Sequence, residues 1–381
     1  MRVLFVNRML GMARGGGETF DLEIGARLER LGCRVSYLAG RPLVRRPPVV
    51  LGHRRVDWLR TPDLTWVPWD RLRGGWRLRT LDFQLFERRA ATRARWLEGG
   101  TDVIQVCELA WFVGWYKRLG GRTPVVLRLT APDFYDPLGG VNAADAVIAS
   151  GATVNRVRRS LRADCVAIQN GVDPELFSPG ASAFRHVHGI PADALVILMV
   201  ARFHYVKRHD LVLDAFARLC RAGFPDARLV LAGSGPLERR VRRQAAEYRL
   251  GSRVIFLGET PFSDMPEVYR AADLAVIASE YESFCFAALE AMACGLALVT
   301  TDTEWVPRLI GREQGGLVVP RGDVAALARA FETLGRRPEL RSGMGRWNRR
   351  EVERRYTWDG SARRLLELYR ELTCAQGRHQ G

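Results

Sequence analysis

Residues Ala275-Val-Ile-Ala-Ser-Glu-Tyr-Glu282-Ser-Phe-Cys-Phe-Ala-Ala-Leu-Glu290-Ala-Met-Ala-Cys-Gly295 decide how this chain reads. An apolar run ends in an acidic loop and then enters an alanine-rich helix. On that helix Glu290 has only apolar neighbours one turn away: Phe286, Ala287, Ala293 and Cys294. A carboxylate on an apolar helix face is costly unless a donor holds it. Glu282 follows a strand, at the carboxyl end where open α/β sheets bind ligands. Two carboxylates so placed can grip hydroxyl groups along one extended polar ligand. The structural alternative is a helix whose Glu290 simply pairs with an arginine.

A second stretch carries the complementary charge. The chain has 58 basic residues, yet Lys117 and Lys207 are its only lysines. Lys207 lies in Val200-Ala-Arg202-Phe-His-Tyr-Val-Lys207-Arg-His. That segment joins an expected strand over 195–200 to an amphipathic helix over 209–222, whose inner face is Leu211, Val212, Ala215, Phe216 and Leu219. Arg202 and Lys207, beside a helix N-terminus with free N–H groups, make a diphosphate clamp. A solvated basic loop is the plainer reading of the same residues.

The 381 residues favour two domains, each large enough for its own core. With 47% hydrophobic and 26% charged residues the composition is that of a soluble globular protein. No segment approaches the ~20 apolar residues of a membrane span, and the chain opens on a strand rather than a signal peptide. The seven scattered cysteines lack metal-ligand spacing and read as buried thiols in a reducing cytoplasm. A net charge of +16 raises nucleic acid, anionic membrane or anionic substrate as partners. No helix-turn-helix, RNP or zinc-finger pattern accompanies it, so nucleic acid is not expected. Arginine and tryptophan interleave over residues 41–96 (Trp58, Trp66, Trp69, Trp76, Trp96), which suits a peripheral membrane interface or a nucleic-acid surface; an arginine-biased surface is the plainer reading and is favoured over both.

The apolar pattern alternates between strand and helix in both halves, which predicts an α/β fold of two Rossmann-like, doubly wound domains. The first half has strands over 2–6, 34–38 and 125–129, a glycine loop over 11–17 and a helix over 19–31. The second adds a strand over 228–232. We place the domains at 1–175 and 176–358, with a helix over 361–372, within 360–375, that completes the first domain.

Ser-x-Tyr-Glu282-x-Phe followed by Leu-Glu290-Ala-Met-Ala-x-Gly resembles the Glu-x7-Glu signature of retaining glycosyltransferases of the GT-B fold, family 4 (group 1). The Arg202-x4-Lys207 pair, Asn170-Gly-Val-Asp173, Gly233-Ser-Gly-Pro236, Tyr269-Arg-Ala-Ala-Asp273 and Gly316-Leu-Val-Val-Pro320 match the same family in order. The resemblance implies two domains facing a cleft, with the last helix crossing back to the first. It implies sugar transfer from a nucleotide-diphosphate sugar, a UDP-sugar first and a GDP-sugar second, with no other cofactor and no metal. Glu290 would bind the ribose and Glu282 the sugar hydroxyls, while Arg202 and Lys207 stabilise the leaving diphosphate. Gly16, Gly17, Gly233, Gly235, Ser283, Phe284, Cys285, Phe286 and Glu304 would complete the donor site. Glu18, Glu108, Thr130 and Asp133, with Asp136 nearby, would receive a hydroxylated or amine-bearing acceptor such as a cyclitol.

The departures are as specific as the matches. Thr130, Gln105 and Cys107 stand where relatives often carry histidine. Cys285 stands where glycine is usual, and Glu304-Trp305 where a Gly-Gly pair meets the donor. The expected acceptor is a soluble natural-product, cyclitol or polysaccharide precursor. The alternatives are a lipid-linked acceptor at the inner membrane face, and a non-catalytic nucleotide-sugar or nucleic-acid-binding protein.

Overall fold

A computed structural model describes residues 1–12, 15–43, 54–62, 75–130 and 136–378. Asp133 and part of the 41–96 arginine–tryptophan segment lie outside the described residues. The chain divides into two compact units, residues 1–170 with 358–381, and residues 171–357.

In the first unit seven parallel strands run β1 (Arg2–Asn7), β2 (Arg34–Pro42), β3 (Arg55–Thr61), β4 (Val103–Cys107), β5 (Val125–Leu129), β6 (Ala146–Ala149) and β7 (Val166–Ala167). Their order in the sheet is β3-β2-β1-β4-β5-β6-β7. The helices are α1 (Gly16–Arg30), α2 (Gly75–Leu97), α3 (Ala110–Arg118), α4 (Gly140–Ala143) and α5 (Ala152–Ser160). The second unit carries β8 (Val196–Val200), β9 (Arg228–Ala232), β10 (Val254–Gly258), β11 (Leu274–Ile277), β12 (Ala297–Thr301) and β13 (Gly316–Val319) in the order β10-β9-β8-β11-β12-β13. Its helices are α6 (Phe184–Val187), α7 (His209–Arg221), α8 (Glu238–Glu247), α9 (Met265–Arg270), α10 (Phe286–Ala293), α11 (Val306–Leu309), α12 (Val324–Arg336) and α13 (Pro338–Arg355). The last helix, α14 (Trp358–Arg378), belongs to the first unit.

The second unit has a dry core on both faces of its sheet. Val196, Leu198, Val230 and Ile277 enter one apolar cluster, while Ile197, Met199, Leu229 and Val276 enter the other. This follows from the period-2 alternation of strand side chains in a sheet covered on both sides by helices.

The first unit is asymmetric. Leu4, Val6, Ile104, Val106, Leu127 and Leu129 share an apolar cluster on one face. On the other face the buried apolar residues Val3, Phe5, Val103 and Val126 are joined by the buried polar or thiol groups Asn7, Gln105, Cys107 and Arg128. Helices α1 and α14 pack on each other there. Trp358 meets Phe20 of α1 edge-on at 6.0 Å, Ser361 Oγ donates to the Gln169 carbonyl at 2.7 Å, and Tyr369 Oη donates to Gln105 Oε1 at 2.9 Å. The expected crossing-back helix is therefore present and begins earlier than residue 361. Gln105, at a strand position often occupied by histidine in the resembling family, is a structural acceptor for that helix.

Several boundaries shift for one reason. The glycine segment 11–17 is not all loop: α1 begins at Gly16, because Glu18 Oε2 accepts the Gly15 N–H at 2.9 Å and closes the helix end. Strand β2 runs on past residue 38 to Pro42 by pairing with β3. Tyr369→Phe should destabilise the protein by about 1–2 kcal/mol, since Gln105 would lose its acceptor bond while its Nε2 already has no partner. Urea unfolding checks this, and a change under about 0.3 kcal/mol would mean that α14 docks by apolar contact alone.

Candidate active site

The second unit places its functional side chains on loops at the carboxyl ends of β8, β9 and β11. Between β11 and α10, Glu282 is 8% exposed. Its Oε1 accepts from Lys207 Nζ at 2.5 Å and from Ser279 Oγ at 2.7 Å. Ser279 is fixed in turn, its carbonyl accepting from Thr301 Oγ1 of β12 at 2.6 Å. Both donors converge on one oxygen, which leaves Oε2 without a partner among the described residues. Burial is the largest single influence on the Lys207 ammonium and would lower its pKa, but the Glu282 charge and hydrogen bond, together with Cys285, leave it raised. The lysine therefore stays charged.

Glu290, two turns along, follows the same pattern. Its Oε2 accepts from Tyr269 Oη of α9 at 2.7 Å, and Oε1 has no partner among the described residues. Burial pushes its pKa up to about 7, against the opposing effect of the tyrosine bond. The donor that makes a carboxylate tolerable on this apolar face is thus a phenol, not an arginine. Sequence reasoning noted Tyr269 only as part of an ordered motif. Nothing in a separation of 21 residues signals the contact.

Arg202, after β8, is exposed and no carboxylate pairs with it among the described residues. Lys207 closes a one-turn 3-10 helix, and Arg208 follows at φ +54 as the N-cap of α7. The free N–H groups of α7 therefore begin directly after the clamp lysine. Gly233 and Gly235 have a packing role. An added Cβ at Gly233 would stand 2.2 Å from the Ala201 carbonyl oxygen, and one at Gly235 2.6 Å from that of Phe203. They let the β9 loop lie against the loop that carries Arg202. The Gly233 N–H is already taken by the Gly258 carbonyl at 2.8 Å, so it is not free for a donor.

The rest of the expected donor set lies close by in different roles. Ser283 is half-buried in the loop. Phe284 is a core residue, packed against Phe286 (5.5 Å) and Trp305 (6.1 Å). Glu304 is half-buried at the start of the turn into α11. Thr303 Oγ1 and Trp305 Nε1 on the same turn are buried without partners, a signal the sequence did not give. Cys285 caps α10 at φ +74, ψ 86. That left-handed conformation explains why glycine suits this place, since a Cβ costs about 1–2 kcal/mol there.

In the first unit the acids expected at the acceptor end are divided. Glu18 closes on the α1 N-terminus. The Asp136 carboxylate accepts from the Gly140 and Val141 N–H groups at 2.9 and 2.8 Å and starts α4. Asp136 is thus engaged through both oxygens, whereas Glu18 is engaged through Oε2 only. Glu108 is exposed at the end of β4 with φ +59. The carbonyl of Thr130, after β5, accepts from Thr153 Oγ1 at 3.0 Å. Gly16 and Gly17 open α1, and a Cβ at Gly17 would make a tight 3.0 Å contact with Cys107 Sγ.

Beneath them lies a group the sequence did not single out. Arg128 is 2% exposed; it donates to Asn170 Oδ1 at 3.0 Å and lies 4.0 Å over the Phe20 ring. Asp21 accepts from Asn7 Nδ2 at 2.7 Å, and burial pushes its pKa up to about 7 against the pull of Arg128.

Comparison with known proteins agrees with this geometry. Residues 181–351 match the family "Glycosyl transferases group 1". It is this segment of the chain that is similar to the group 1 glycosyltransferases. The chain is 36% identical over 217 residues to the D-inositol 3-phosphate glycosyltransferase of Saccharomonospora viridis, covering 55% of this chain and 50% of that one. It is 32% identical over 241 residues to the GDP-mannose-dependent alpha-(1-6)-phosphatidylinositol dimannoside mannosyltransferase of Mycobacterium tuberculosis, covering 61% and 59%. The chain thus spans about half the length of the curated relatives it matches. Among solved structures it resembles sucrose-phosphate synthase from Thermosynechococcus elongatus (TM-score 0.79, 24% identity, 98% and 99% coverage). It also resembles Anabaena HepE in complex with UDP (TM-score 0.78, 19% identity, 97% and 100% coverage). The fold is GT-B.

The left-handed cap gives a direct test. Cys285→Gly and Cys285→Ala both remove the thiol, yet C285G should be the more stable by about 1 kcal/mol, because alanine keeps the strained Cβ. Equal urea midpoints would show that the loop relaxes and stores no strain at this position.

Proposed function

We propose that the chain transfers a sugar, with retention at the anomeric carbon, from a nucleotide-diphosphate sugar to a hydroxyl of an inositol-type or similar polyhydroxylated acceptor. The observation that carries this reading is the Lys207–Glu282–Ser279 cluster at 2.5 and 2.7 Å, which holds one carboxylate oxygen and leaves the other open. Lys207 and Arg202, with the N–H groups of α7, supply positive charge where a diphosphate leaves. The open oxygens of Glu282 and Glu290 accept from sugar and ribose hydroxyls. An acceptor oxygen bonds to the anomeric carbon as the carbon–oxygen bond to the diphosphate breaks. The acceptor proton passes to the leaving phosphate oxygen, so no histidine is needed at Thr130.

The inositol-type acceptor is supported by relatives whose names carry inositol 3-phosphate or phosphatidylinositol. An amine-bearing acceptor has less support than an inositol-type one, because Asp136 is engaged at a helix end through both carboxylate oxygens. For the donor, UDP is the first expectation, given the UDP-bound structural relative, with GDP as the second.

A thermal-shift panel of UDP, GDP, ADP and TDP tests the clamp. One nucleotide at 100 times its Kd should stabilise by about 2.7 kcal/mol, and Lys207→Ala should abolish the shift. No shift from any of them would end the donor-site reading. With a donor in hand, Glu282→Gln should lower kcat by about 10²–10³, while nucleotide binding changes little. Unchanged turnover would remove Glu282 from the chemistry.

One observation favours a membrane-borne acceptor over a soluble one. On α2, Trp96 is 81% exposed and Leu85 50%, with Arg88, Arg89 and Arg93 exposed between them. No helix among the described residues is long and apolar enough to cross a membrane, so this would be a surface contact. The protein should then co-sediment with anionic vesicles at physiological salt, several-fold less so as Trp96→Ala. Wild type left in the supernatant would favour the soluble acceptor.

A further inference from the structure

Tyr269 is a buried polar group beside a donor carboxylate that the proposed chemistry leaves without a role. It is 1% exposed, on α9. Its ring meets Phe177 edge-on at 5.8 Å, and Phe177 meets Phe262 the same way at 5.3 Å. The ring therefore has no room to swing, and the hydroxyl is fixed in place. That hydroxyl has two acceptors in reach, Glu290 Oε2 at 2.7 Å and the Ala287 carbonyl at 3.4 Å. It has one proton to give, and the shorter bond to the carboxylate claims it.

We infer that Tyr269 is the positioning residue of Glu290: its hydroxyl pins Oε2 so that Oε1, and the negative charge, are presented to the ribose hydroxyls of the nucleotide. The inference rests on the proposed donor-site reading and adds to it a residue that touches no substrate.

The chemistry of a phenol makes the arrangement sensitive to protonation. Ionised Glu290 accepts a charge-assisted bond from Tyr269, which is stronger than a neutral one. Protonated Glu290 must give its own proton to a neighbour, and Tyr269 then turns to the Ala287 carbonyl. The tyrosine thus favours the ionised carboxylate, opposing the burial that pushes Glu290 up to about 7. No other charge competes for the role. Cys285 and Cys294 are thiols that burial keeps protonated. Arg349 of α13 is spent on the Phe177 and Ala293 carbonyls at 2.8 Å each. Arg270 of α9 donates to the Ser178 carbonyl at 2.9 Å and to Glu267 at 3.2 Å. Lys207 is committed to Glu282.

The sign follows directly. Removing the hydroxyl withdraws a bond that favours the charged form, so the Glu290 pKa must rise in Tyr269→Phe. If it rises by one unit from about 7, the ionised fraction at pH 7 falls about fivefold, and it recovers by pH 9.

The test is affinity for UDP (or GDP, whichever binds) against its 2′,3′-dideoxy analogue, from pH 5.5 to 9. The ratio of the two affinities cancels titration of the phosphates and reads the ribose contact alone. In wild type this discrimination should rise with pH through a midpoint near 7. In Glu290→Gln it should be small and flat. In Y269F the midpoint should move up by about one unit, with discrimination regained within about twofold at pH 9. If E290Q keeps wild-type discrimination, the ribose reading of Glu290 fails and the inference falls with it. If E290Q loses discrimination while the Y269F midpoint stays put, the donor reading survives and the role of Tyr269 alone is overturned. Should Y269F not fold, replacing tyrosine by 3-fluorotyrosine keeps the ring and hydroxyl, strengthens the donor, and should move the midpoint down. A midpoint unmoved by that replacement overturns the inference equally.

Discussion

Each carboxylate of the Glu282–Glu290 pair has one oxygen pinned by the protein and one left open. This arrangement governs the rest of the second unit. A half-buried glutamate without a donor would take up a proton rather than bear the cost of its charge. A glutamate saturated by donors would have nothing left for a ligand. Serving one oxygen only holds the group in place and leaves the other oxygen able to accept. The two residues reach this state by different routes. Glu282 has a cation and a hydroxyl on Oε1, so its charge is offset by Lys207. Glu290 has a neutral phenol, and its pKa accordingly stays up at about 7.

The backbone is strained where these groups are held. Among the described residues, non-glycine positive φ occurs at Glu108, Arg208, Arg249, Cys285 and Arg312. Three of these adjoin residues the site depends on. Arg208 follows the clamp lysine, Cys285 lies between Glu282 and Glu290, and Glu108 ends β4 beside Cys107. Each such conformation costs of order 1–3 kcal/mol and persists only where packing over-determines it. At Arg208 the compensation is visible, since its guanidinium is paired with Asp210 and Glu280. At Cys285 it is the apolar cluster around Phe284 and Ala288.

Much of the fold was legible because strand and helix periods differ. The strands over 228–232 and 125–129 are found at those bounds, and α7 ends one residue short of the expected 222. Helix starts were less legible because capping decides them. Glycine at 16 and 17 argues against helix by propensity, and only the Glu18 bond overrides it. The charged residues of the candidate site stood out in sequence, because a carboxylate on an apolar face and a rare lysine after a strand both violate local expectation. Their partners were not. Tyr269 and Ser279 look like ordinary core and loop residues in sequence, and only the sheet brings them to Glu290 and Glu282. The acids Glu18 and Asp136 were ambiguous in the other direction, because a carboxylate near a loop reads alike whether it caps a helix or waits for a ligand.

Arg128 shows how composition hides a functional signal. In most chains an arginine inside Val125-Val-Leu-Arg-Leu129 would stand out; here it is one among 58 basic residues. Yet its burial cannot come from surface bias. A buried guanidinium survives because Asn170 accepts from it and Phe20 offers its ring face, with Asp21 near enough for each charge to affect the other. Phe20 also meets Trp358 at the start of α14. The face of the first sheet that carries these polar groups, the helix that returns to cover it and the glycine opening of α1 are therefore one packed assembly. The missing histidines at 105 and 107 belong to it as well. Gln105 anchors α14, and Cys107 is the thiol against which Gly17 fits. What looked like lost catalytic residues are positions this chain uses to hold its first unit together.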